Sequence, residues 1–317
     1  MADQERALGD DQKTADVEPV TLDLRPMTPH IGAEILGVNL ARPLAPQTVA
    51  DIRAALIKWK VLFFREQDLD HDGHIRFARY FGAPTPGHVV FGGDSLYPEI
   101  YSVAKHRPAL DETPKEERPW SRWHTDITAA VNPPWASVLR GVVVPPYGGD
   151  TLWTNLVLAY EKLSPVMRDF VDGLRAVHRF NAPGAEAASE YGERVATQGL
   201  AAEHPLVRVH PESGERVLYI SPDFLKSIVG LTPRESQALL ELLWEHAVRS
   251  DFTLRFRWEK GSVAFWDNRS TAHLAPQDIF DTNFDRQFFR VTLCGEVPVG
   301  VDGRESRPIS GEPIKPL

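Results

Sequence analysis

Apolar residues recur along this chain with two distinct periods. Val49, Ile52, Leu56 and Trp59 are spaced by three and four, which places them on one face of a helix. The run Val61-Leu62-Phe63-Phe64 that follows is apolar at every position and predicts a buried strand. Asp70 predicts the cap of a second helix whose apolar face carries Ile75, Phe77 and Phe81. Ser164-Pro165 predicts a third, with a hydroxyl to cap it and proline at its first position. Thr232-Pro233-Arg234-Glu235 has the form of a capping box and leads into Leu239, Leu240, Leu242 and Leu243.

Elsewhere short strand-like runs lie between turn residues. Ala136–Val144, Leu206–Val209, Val217–Ile220, Ser262–Trp266 and Phe288–Leu293 predict strands, and Pro211-Glu212-Ser213-Gly214 is the turn between the second and third. Phe252, Leu254, Phe256 and Trp258 alternate with polar or charged partners, as in a half-buried strand. Many short strands, few crossover units and helices near the front predict a mainly β fold with flanking helices, a β-sandwich or jelly roll. Two long stretches, 105–118 and 180–199, are rich in charge, proline or small residues and read as lids or binding loops. The expected layout is one catalytic domain over 19–300, between an N-terminal tail at 1–18 and a C-terminal tail at 301–317.

Composition narrows the function. A net charge of −9 over 317 residues argues against a nucleic-acid partner, which needs a basic face. The single cysteine, Cys294, rules out an internal disulfide and a cysteine zinc cluster, and a reducing cytoplasm is the expected setting. No run approaches the length of a membrane span, and no apolar signal core opens the chain.

The chemistry is concentrated in four places. Trp123-His124-Thr125-Asp126 puts an imidazole and a carboxylate two residues apart, on one face if the segment is strand-like. His273 follows an apolar strand much later. One carboxylate and two imidazoles form the facial set that holds iron(II) with three positions open, enough for a chelating 2-oxo acid and dioxygen. Arg286 and Arg290, four apart around Phe288, need anionic partners if buried. Those partners could be a co-substrate carboxylate and an anionic substrate, or simply nearby Asp and Glu. Gly148-Gly149-Asp150-Thr151 reads as a turn entering a strand, with the Thr151 hydroxyl available to a carboxylate. A zinc hydrolase using the same three ligands, and a cupin-like binding protein without catalysis, remain open at this point.

With these elements in this order, the chain resembles the TauD/TfdA family of iron(II)/2-oxoglutarate dioxygenases over about residues 20–309. The likeness extends to Ile31-Gly32-Ala33-Glu34, Val61-Leu62-Phe63-Phe64-Arg65, Glu203-His204-Pro205 and Trp266-Asp267-Asn268-Arg269. The segment Glu296-Val297-Pro298-Val299-Gly300-Val301-Asp302-Gly303 resembles the alkylsulfatase branch more than the taurine branch. The resemblance implies a distorted double-stranded β-helix that assembles as a dimer or tetramer. It implies iron(II) on His124, Asp126 and His273, and 2-oxoglutarate held by Thr151 and Arg286 beside Trp266. It further implies Arg290 and His88 on an anionic sulfonate or sulfate head group, with dioxygen as the oxidant. Taurine enzymes of the family carry an asparagine shortly before Trp-His-Thr-Asp and a tyrosine after the substrate histidine. Here the corresponding stretches are Pro119-Trp120-Ser121-Arg122 and Val89-Val90. Trp120, Val90 and Phe224 instead imply a pocket for an apolar tail, with sulfate esters first, then sulfonates, then alkyl or aryloxy carboxylates.

Overall fold

A computed structural model describes residues 17–88, 92–104, 118–119, 121–180 and 199–317. Its largest sheet has the order β1 (Asp23–Pro26), β2 (Ala33–Leu36), β3 (Val61–Phe64), β13 (Val263–Asp267), β5 (Ala136–Val143), β15 (Gln287–Leu293), β4 (Tyr101–Ala104). Opposite it lies a smaller sheet of β12 (Thr253–Phe256), β6 (Thr151–Asn155) and β14 (Thr271–Leu274). A further sheet, β11 (Leu225–Ile228), β7 (Arg175–Arg179), β8 (Ala201–Pro205) and β16 (Arg307–Ser310), and the hairpin of β9 (Val207–Val209) with β10 (Arg216–Leu218) complete the described strands. Pairing is antiparallel throughout except between β2 and β3.

The pleat of the large sheet divides its side chains between two cores. Val61 and Phe63, Leu139, Ala264 and Trp266 point to the small sheet and meet Trp153, Leu254 and Phe256. Leu62 and Phe64, Ala136 and Val138, Val263 and Phe265 point the other way. There they pack beneath α1 (Pro46–Trp59) and α2 (His71–Arg79), through Ile52, Leu56, Ile75 and Phe77. The uniformly apolar run in β3 is thus explained: both of its faces are covered. Phe63 stacks on Phe256 with ring centroids 3.9 Å apart. Each such fully buried side chain contributes about 1.5–3 kcal/mol.

The helix starts follow the capping logic of the sequence. Asp70 accepts from Gly73 N at the start of α2. Before α3 (Leu156–Glu161), Asn155 accepts from Val157 N and Leu158 N. Ser164 caps α4 (Pro165–Asp172), and Thr232 with Glu235 forms a complete capping box before α5 (Pro233–Ala247). Among the described residues no helix is long and apolar enough to cross a membrane.

Two expectations differ from what is found. Residues 301–317, read from sequence as a tail, contribute β16 along β8, and Ile314 is buried with its backbone bonded to the Asn132 side chain. The His124–Asp126 segment is not a strand. It makes one isolated bridge, at His124, between residues with left-handed backbone at Arg122 (φ 65°) and Ile127 (φ 49°).

Candidate active site

His273 sits in β14, whose ladder with β6 fixes its direction. Across from it, His124 N–H donates to the His273 carbonyl at 2.9 Å and His273 N–H returns the bond to the His124 carbonyl at 2.7 Å. Such a reciprocal pair sets two residues directly opposite each other, with side chains on the same face. The imidazole centroids are accordingly 4.2 Å apart. Thr125 is tied down by its hydroxyl on the Thr271 carbonyl (2.7 Å) and by its N–H on Ser221 Oγ (3.1 Å). The chain then turns, and Asp126 joins the two histidines: the candidate ligand atoms of His124, Asp126 and His273 all lie within 4.8 Å of one another.

The electrostatics suit a cation. Burial opposes ionisation of Asp126, but Arg290, His273, His124 and the Ser137 hydroxyl outweigh it and hold the carboxyl well below the usual range. Burial, reinforced by His124 and Arg290, lowers His273 to about 3, so its ring is neutral. His124 Nδ1 lies 3.0 Å from the Arg122 carbonyl. A carbonyl only accepts, so Nδ1 is the donor there, and Nε2 is the nitrogen that can turn a lone pair to a metal. An anionic carboxylate, the neutral His273 ring and the His124 imidazole gathered in one place fit a divalent ion, iron(II) included.

Arg290 lies on β15 and donates from Nη1 to Asp126 Oδ1 at 2.6 Å, while its guanidinium stands 5.3 Å from the Tyr101 ring centroid. Arg286 precedes β15, and a bulge at Gln287/Phe288 follows it. Its Nε donates to the Gly149 carbonyl at 3.3 Å and its guanidinium lies 3.9 Å from the Phe288 ring centroid. Burial pulls Arg286 down to about 10, against the raising effect of Asp278 and Asp150, which leaves it charged at neutral pH. Gly149 adopts φ +67°, and a Cβ there would stand 3.2 Å from Arg286 Cδ and Nε. Thr151 Oγ1 accepts from Trp258 Nε1 at 2.9 Å, and Trp258 meets Phe288 edge-on with centroids 4.8 Å apart. Arg286 and Thr151 therefore flank the same Trp258–Phe288 pair. Trp266 places its ring 5.0 Å from that of His273.

The substrate-side expectations converge on a run of rings. Phe224 lies 6.5 Å from His124, Phe180 stacks on Phe224 at 5.8 Å, His88 is 6.1 Å from Phe180, and Tyr101 is 5.0 Å from His88. Tyr101 leads back to Arg290, so the run begins at a candidate metal ligand, His124, and ends at the arginine bonded to another, Asp126. Trp120 and Val90 lie outside the described residues, as do 105–117 and 181–198 of the expected lids.

Sequence reasoning missed Tyr101, Phe180, Ser137 and Trp258. Tyr101 reaches His88 from a neighbouring strand, so the absence of a tyrosine directly after His88 does not leave this histidine without one. Asn268 was legible only as part of a motif; the structure gives it bonds to Trp266 and Ser137.

The family described as "Taurine catabolism dioxygenase TauD, TfdA family" matches residues 23–292. The chain belongs to the TauD/TfdA family. It is 42% identical over 295 residues to an alpha-ketoglutarate-dependent sulfate ester dioxygenase from Pseudomonas putida, covering 90% of this chain and 94% of that protein. It is 37% identical to an alkylsulfatase from Acinetobacter baylyi, covering 90% of this chain and 89% of that protein. A crystal structure of a taurine dioxygenase from Burkholderia xenovorans superimposes with TM-score 0.83 at 61% identity, covering 93% of this chain and 96% of that one. The expected jelly roll of this family is therefore the fold of the chain.

Proposed function

We propose that this protein is an iron(II)- and 2-oxoglutarate-dependent dioxygenase that hydroxylates the carbon beside an anionic head group, with alkyl sulfate esters as its substrates. The observation that carries this reading is Arg290. A guanidinium 2.6 Å from the carboxylate of a candidate iron ligand can hold an anion at the metal's edge, so the carbon next to that anion faces the oxidant.

His124, Asp126 and His273 would hold iron(II), with one face left for other ligands. Arg286 would bind the far carboxylate of 2-oxoglutarate. The Thr151 hydroxyl, having accepted the Trp258 N–H, keeps its own proton to donate to the same carboxylate. Trp266, buried against His273, would wall this side from water. Bound iron and 2-oxoglutarate together supply the oxidising chemistry that activates dioxygen, releasing succinate and carbon dioxide. His88 and Arg290 would seat the sulfate head, and Phe224, with Phe180 beside it, would take the alkyl tail. Hydroxylation of the carbon bearing the sulfate oxygen gives a hemiacetal ester, which breaks at the carbon–oxygen bond to an aldehyde and sulfate. The same step on a sulfonate would release sulfite.

The relatives named above divide between sulfate ester and taurine. Phe224 and Phe180 favour the ester, because they offer an apolar wall to an alkyl tail. The 61% identity with a protein bearing the taurine name keeps taurine as the second reading. Oxygen uptake and succinate release, measured with hexyl sulfate, taurine and an aryloxyacetate, test this. Hexyl sulfate should stimulate both most strongly. Stimulation by taurine alone would move the substrate to sulfonates, and sulfate release without oxygen would turn the protein into a hydrolase.

A further inference from the structure

Ser137 and Asn268 stand behind the candidate iron carboxylate. Ser137 lies on β5, directly across from Trp266 of β13 in the sheet register, and Asn268 follows Trp266 by two residues. All three are at most 1% exposed, and Asp126 is 2% exposed. The bonds that join them have only one direction. An indole N–H donates and cannot accept, and Trp266 Nε1 lies 2.8 Å from Asn268 Oδ1. This pins the amide, so Nδ2 is the atom that donates to Ser137 Oγ at 2.9 Å. Having accepted there, the Ser137 hydroxyl spends its proton on Asp126 Oδ2, 2.6 Å away. Asn268 is also anchored through its backbone N–H on the Trp135 carbonyl at 2.8 Å.

Asp126 needs such support more than the histidines do. His273 is held by a strand ladder and His124 by its reciprocal pairing with His273, whereas Asp126 lies just before a left-handed residue with no ladder of its own. A carboxylate free to rotate offers a metal either oxygen or both. We infer that Trp266, Asn268 and Ser137 form a directed hydrogen-bond relay that fixes the Asp126 carboxylate for metal binding: the serine holds Oδ2, Arg290 steadies Oδ1 from the other side, and the ion takes the remaining lone pair of Oδ1. The three act as positioning residues, transmitting the rigidity of the large sheet to a ligand on an irregular segment. This rests on the reading of His124, Asp126 and His273 as a metal site.

The test uses full-length protein stripped of metal, titrated with Mn(II) and Co(II) without 2-oxoglutarate or substrate. Unaltered protein should bind one ion. Ser137→Ala removes the donor to Asp126. Asn268→Asp replaces the amide donor with an acceptor, which draws the serine proton away from Asp126. Each should weaken Mn(II) binding roughly 10- to 100-fold and alter the visible spectrum of bound Co(II). Trp266→Phe, which removes only the indole N–H from the relay, should weaken it less. Thermal melting of the metal-free variants separates a folding defect from a ligand defect. Unaltered affinity and Co(II) spectrum in folded Ser137→Ala and Asn268→Asp would overturn the relay, whatever their melting temperatures. If Ser137→Ala does not fold, Asn268→Asp decides alone. Failure of the unaltered protein to bind either ion would remove the metal site itself.

Discussion

Two buried aspartates, Asp126 and Asp267, each face an arginine and a histidine, and both are held well below the usual carboxyl range despite burial. Around Asp267 every polar group has a partner. Arg269 grips it through Nε and Nη2 at 2.7–3.2 Å and also reaches Glu212. His210 Nε2 donates to Asp267 at 2.9 Å, while its Nδ1 accepts from Glu212 N and Ser213 N. Around Asp126 the set is open. His273 Nδ1 and Arg290 Nε are buried without a hydrogen-bond partner among the described residues. A saturated ion cluster braces the fold; here it clamps the β13–β14 turn, which leads into the strand of His273, to the β9–β10 turn. An unsaturated one is poised to engage something else.

Exchanging one atom in each aspartate should break the two sites in different ways. Asp126→Asn should abolish 2-oxoglutarate-dependent succinate formation while the protein still folds, as assayed by turnover and circular dichroism. Asp267→Asn leaves Arg269 buried beside a neutral group and should cost about 3–5 kcal/mol in urea unfolding, with metal affinity of the folded fraction retained. Equal activity loss without destabilisation in both variants would erase the contrast.

The co-substrate side offers a sharper probe. Arg286→Ala should raise the half-saturating 2-oxoglutarate concentration about 100-fold, the value of one or two charge-assisted hydrogen bonds, and leave Mn(II) affinity nearly unchanged.

Acid should probe the open site through His273. His273, His74 and His204 are lowered to about 3 in the fold, each chiefly by burial. Between about pH 6.5 and 3 the unfolded chain therefore binds protons that the folded chain refuses, so stability falls as pH falls through that window. The slope reaches about 1.4 kcal/mol per pH unit for each histidine. Metal on neutral His273 should hold part of that stability against acid, visible as a larger gap between metal-loaded and metal-free melting temperatures at pH 6 than without metal-binding His273 (His273→Gln). An unchanged gap in that variant would detach His273 from the metal. The smallest effect expected is from Gly149→Ala. It places a Cβ against Arg286 on left-handed backbone and should cost about 1–2 kcal/mol in stability, with a severalfold rise in the 2-oxoglutarate requirement.

Much of the framework was legible before any coordinates. β3, β13 and β15 follow from apolar runs, and α2, α4 and α5 from their caps, because those signals are local. Strands such as β7, β8 and β16 escaped, since their sequences carry histidine, arginine, glutamate and proline whose burial depends on partners far away in the chain. The three candidate ligands were readable as residue types in order, and the fold brings their ligand atoms within 4.8 Å of one another. The backbone of the first two was misjudged, because a single bridge to His273, not strand conformation, brings His124 and Asp126 together.

By itself, the sequence determined the chemistry available: two imidazoles, a carboxylate, two guanidiniums and a sheet pattern able to carry them. Only the tertiary structure decided which of many buried charges are saturated and which are open. That depends on three-dimensional neighbours such as Ser137, Tyr101 and Trp258, drawn from strands distant in sequence. Hydrogen bonds act over about 3 Å, so no spacing along the chain can announce them.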